Sequence, residues 1–125
     1  MHTRHQLIEM LADHKEWQGK INFYKMEIKA LTNELDDFVK GKSSEIDFVQ
    51  VEHFQNQFII QAETLDVMRH DFKQHENRIE SSSKSPLENL AELHLEEKEK
   101  LTQFEKGFKE LRESFHAFTQ KEIFN

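Results

Sequence analysis

Apolar residues recur along this chain every three or four positions, in three long blocks. In the first block the a positions of a heptad are Leu7, His14, Ile21, Ile28 and Leu35, and the d positions are Met10, Trp17, Tyr24, Leu31 and Phe38. The second block has Val51, Phe58, Leu65, Phe72 and Ile79 at a, with Phe54, Gln61, Met68 and His75 at d. The third has Leu87, His94, Leu101, Phe108 and Phe115 at a, with Leu90, Glu97, Phe104, Leu111 and Phe118 at d. Twenty-four of these 29 positions are apolar or aromatic. A seam of that length, one stripe on each helix, predicts heptad, coiled-coil-like packing.

Two polar stretches separate the blocks. Lys40-Gly41-Lys42-Ser43-Ser44 closes the first, with Gly41 suited to the left-handed position that follows a helix. Ser44 with Asp47 resembles a capping box, as does Thr3 with Gln6. Ser81 to Pro86 closes the second block, where Ser85 suits a cap, Pro86 the first helical position and Glu88 the return contact. The predicted helices are therefore 4–40, 44–80 and 86–122. Short loops make neighbouring helices antiparallel. The expected fold is all-α: an up–down–up three-helix bundle forming a single domain over residues 1–125. The helix spacing and Trp17 at a d position resemble the architecture of spectrin-like three-helix repeats, with one copy of the pattern here.

Composition narrows the chemistry. The 125 residues carry 24 acidic groups against 17 Lys and Arg, and no cysteine. Thiolate metal sites and disulfides are thereby excluded. Nucleic acid is not an expected partner, because phosphate binding needs clustered Lys and Arg. No run approaches the roughly 20 apolar residues of a membrane span, and Met1 to Met10 contains no apolar core of a signal peptide. A cytoplasmic setting is expected. The acidic excess is uneven: residues 43–81 carry net −5, whereas residues 1–42 are neutral.

Five seam positions are polar: His14, Gln61, His75, His94 and Glu97. A ruler built from the antiparallel geometry puts His14 and His94 in one layer with Phe72. It puts His75 one turn away, Glu97 beside Arg69, and Gln61 beside Tyr24. One reading is a buried polar network that sets register, with Glu97 on Arg69, His14 on His94 and Gln61 on Tyr24. The other is a metal site of His14, His75, His94 and Glu97, because imidazoles and a carboxylate suit zinc, iron or manganese. A di-iron centre is not expected. The sole Glu-x-x-His, Glu113 to His116, falls at outward f and b positions.

No phosphate loop, nucleophile elbow or His-Glu-x-x-His is present. The main expectation is a non-catalytic helical interaction protein, with no cofactor, acting through its helix faces. Phe23 and Met26 on helix 1, and Ile59, Ile60 and Val67 on helix 2, lie off the seam as a candidate face for a protein partner or for self-association. The alternative is a bundle that binds a metal or small ligand through the His/Glu cluster.

Overall fold

The computed structural model describes residues 2–41, 46–81 and 87–124, with side chains described for 4–41, 46–81 and 89–121. The described residues form three helices, α1 (His2–Lys40), α2 (Phe48–Glu80) and α3 (Leu87–Phe124). At ~1.5 Å per residue the longest is about 58 Å. None is apolar enough to cross a membrane.

Cross-helix pairs give the helix directions. His14 faces Glu76 and Lys25 faces Asp66, so rising numbers on α1 meet falling numbers on α2. Asp13 meets His94, Tyr24 meets Glu105 and Glu34 meets His116, so α1 and α3 rise together. His75 meets Glu97 and Phe54 meets Phe118, which opposes α2 to α3. This order is what up–down–up packing requires.

The seam expectation holds at the level of burial. Every described a and d position is buried or half-buried, and none is exposed. Leu87 lies outside the described side chains. Packing is aromatic through the middle, where Phe115 meets Phe54 and Phe58 with ring centroids at 5.4 and 5.3 Å. Edge-on rings of this kind add to the gain from burial itself. Among the described residues Thr119 is the one buried off the seam, and its hydroxyl donates to the His116 carbonyl.

The helix ends correct several expectations. α2 starts at Phe48, not at 44. Asp47 is its cap, accepting the Gln50 amide, because its short carboxylate reaches the third amide of the helix. Ser44 lies outside the described residues, as do Ser85 and Pro86. α1 runs through Thr3 to His2, so Thr3 is not a cap. Gly41 is not left-handed; its amide donates to the Asp37 carbonyl and extends the helical turn.

Gly107 is not a close-approach point, since a Cβ there would meet nothing within 4 Å. It lines an open groove of ≈ 940 Å³ between α2 and α3.

Candidate metal centre

Each helix supplies part of one polar layer. α1 contributes His14, α2 contributes His75, and α3 contributes His94 and Glu97, which share a face because they lie three residues apart. One ligand atom from each of the four residues lies within 4.8 Å of the other three. His14, His75 and Glu97 are buried and His94 is half-buried.

The hydrogen bonds assign the protons. Glu97 Oε1 accepts from His14 Nε2 at 3.2 Å and from His75 Nδ1 in a short bond. A carboxylate only accepts, so those two nitrogens carry hydrogen. His94 Nε2 donates to Asp13 Oδ2 at 3.0 Å. Among the described residues, four buried side-chain atoms are left without a hydrogen bond: His14 Nδ1, His75 Nε2, His94 Nδ1 and Glu97 Oε2. His14 Nδ1 lies 3.4 Å from Glu76 Oε1, but without hydrogen-bond alignment. Each histidine thus has one nitrogen on a carboxylate and the other unpaired. For His94, whose carboxylate partner Asp13 lies outside the cluster, this is the arrangement by which protein metal sites orient an imidazole.

Aromatic rings wall the layer on one side. Trp17 stacks on His94 with centroids 4.6 Å apart, and Phe72 lies 5.6 Å from His14. His14 and His94 also stack, at 5.2 Å and 12°. Met10, Ile79 and Leu90 form a separate buried cluster.

The expected shared layer of His14, His94 and Phe72 is therefore observed, but three expected pairings are corrected. Glu97 bonds His14 and His75 rather than Arg69, which instead donates to Asn22 at 2.9 Å. His75 is not a turn away; its ring is 4.9 Å from that of His14. Tyr24 donates to Glu105, not to Gln61, and Gln61 lines the α2–α3 groove. Two causes act in the same direction. The first loop is longer than expected. Side chains also lean toward the N-terminus of their own helix, so side chains that meet across an antiparallel pair carry higher numbers than a Cα ruler assigns.

Sequence reasoning passed over Asp13 and Glu76. Both occupy g or e positions beside a seam histidine, and that placement is the signal that finds them.

Charge in the layer is shifted. Burial lowers the His94 pKa from its ordinary 6.5; the Asp13 hydrogen bond opposes this, and the neighbouring imidazoles add to it. For Glu97 burial pushes upward, but the hydrogen bonds from His14 and His75 outweigh it and hold the carboxyl below its ordinary 4.5. Tyr24, outside the layer, is pushed up to about 12 by burial and by its bond to Glu105.

Both shifts in the layer have the same consequence for stability. With folded values below unfolded ones, the unfolded chain binds more protons in each window, so stability falls as pH falls. Metal-free protein is expected to lose stability first below 6.5, through His94, and again below 4.5, through Glu97. The urea midpoint as a function of pH measures this. A midpoint that is flat from about pH 7.5 to about pH 5.5 contradicts the His94 part.

Comparison of the chain with protein-family models, curated proteins and solved structures finds no match. The functional reading therefore rests on the site's own chemistry.

Proposed function

We propose that this chain is a non-catalytic helical protein that holds one divalent transition-metal ion through His14, His75, His94 and Glu97. The observation that carries this reading is the set of four buried, unpaired polar atoms, one on each of those residues. Leaving a buried donor or acceptor unmet costs about 1–3 kcal/mol. Four in one layer call for an occupant such as an ion or water. Imidazole and carboxylate are both zinc donors, and four protein donors fill a tetrahedral shell. A filled shell leaves no position for substrate, which is why the reading is non-catalytic.

The test uses untagged protein purified without chelating resin. Elemental analysis, and cobalt titration followed by visible absorption, are expected to give about one ion per chain. His94→Ala is expected to abolish tight binding. A folded wild-type chain that takes up no zinc, cobalt or manganese overturns the proposal.

A second reading, compatible with the first, is docking through the helix faces. Phe23, Met26, Ile59, Ile60 and Val67 are each about half exposed or more. Ile60 and Val67 line the α2–α3 groove with Met68 and Phe104, and four acids, Glu63, Asp71, Glu96 and Glu99, share that groove with Lys100. An apolar groove with an acidic margin suits a basic amphipathic helix of a partner, in a cytoplasmic setting. Self-association through the same faces is read by sedimentation over a concentration series.

A further inference from the structure

The histidine layer divides the apolar core into unequal parts. On one side lies a cluster of 17 buried apolar residues, running from Trp17 and Phe72 to Phe115 and Phe118. On the other side the described residues include three: Met10, Ile79 and Leu90, with Leu7 and Leu11 packed against them. The layer itself carries the four unpaired atoms.

We infer that the bound ion is a clamp that closes the end of the bundle formed by the start of α1, the end of α2 and the start of α3. The inference rests on the metal reading above and adds the role of the ion. Regions with few buried apolar contacts open locally, well before the whole protein unfolds. Among the described residues, three buried apolar side chains, with Leu7 and Leu11 half-buried against them, lie beyond an unsatisfied polar layer, which describes such a region. An ion held by His14 of α1, His75 of α2, and His94 and Glu97 of α3 ties all three helices at the boundary. Opening the end then pulls a ligand off the ion. Loss of the ion releases the end and uncovers Met10, Ile79 and Leu90.

Hydrogen exchange on the full chain tests this, with zinc stoichiometry measured on the same sample. In metal-free protein, amides of residues 4–13, 76–80 and 89–93 are expected to exchange faster than those around Phe58 and Phe108. Free zinc at about 100 times Kd is expected to slow the end amides about 100-fold, because opening must first release the ion. Two results overturn the clamp. One is end amides as slow as the main core without metal. The other is end amides that keep their metal-free rates in protein carrying one zinc, which shows that the end opens without disturbing the site. Absence of zinc binding is a separate outcome; it overturns the metal reading, and the clamp with it.

Discussion

Zinc added to the metal-free protein is expected to raise its thermal midpoint by roughly 10 °C when free zinc is about 100-fold above Kd. A ligand that binds the folded chain alone contributes about 2.7 kcal/mol at that excess, and a domain of this size shifts by about 4 °C per kcal/mol. Coordination competes with the metal-free network, in which Glu97 Oε1 accepts from His14 and His75. Those bonds, made to a charged acceptor, contribute about 1.5–3 kcal/mol each. The zinc-dependent rise measures how far coordination by three imidazoles and a carboxylate exceeds those bonds.

Glu97→Gln separates the two states. The amide keeps the volume and can accept one imidazole N–H, so the metal-free fold should survive. The anionic donor is gone, so most of the zinc-dependent rise should disappear. A rise that persists at full size in Glu97→Gln shows that zinc acts elsewhere on the chain. Scanning calorimetry with and without zinc gives all four midpoints.

Phe115→Ala is expected to destabilise the protein by about 3–5 kcal/mol, a fall of roughly 10–20 °C in thermal midpoint. Phe115 is fully buried in the main core, and its ring meets those of Phe54 and Phe58. Truncation removes both the buried area and these edge-on contacts, and it leaves a cavity into which the surroundings relax only partially. The same change should leave the zinc-dependent rise largely intact. Phe115 packs far along the bundle from His14, among Phe54, Phe58 and Phe118. Distant sites add within a few tenths of a kcal/mol. A small loss, under about 1 kcal/mol, would mean the aromatic core is loosely packed.

The acid sensitivity of the metal-free layer belongs with these results. Burial and neighbouring imidazoles keep His94 deprotonated at lower pH than an ordinary histidine. That favours metal uptake, because a ligating imidazole must be neutral.

Much of the fold is legible in the sequence because a helix fixes which residues share a face. Whatever α1 packs against, Leu35 and Ile21 lie on the same stripe, and a stripe of that composition is buried. The identity of the four polar residues in the layer is legible for the same reason: each interrupts an apolar stripe. Helix ends are less so. Ser44 and Asp47 are both good caps, and the choice between them depends on how the chain leaves α1.

Tertiary structure alone decided the heights at which the helices meet. Loop length and the lean of side chains toward their own N-termini add several residues to the register. That slide moved Glu97 away from Arg69 and onto His75, and it brought His75 up to His14, whose height against Glu97 it left unchanged. Glu76 became a neighbour of His14 by the same displacement, whereas Asp13 was already level with His94 because α1 and α3 keep their relative height. Periodicity specifies rotation about a helix axis. Translation along it is set by the loops and by contacts between residues far apart in the chain, and in this protein the translation assembled the site.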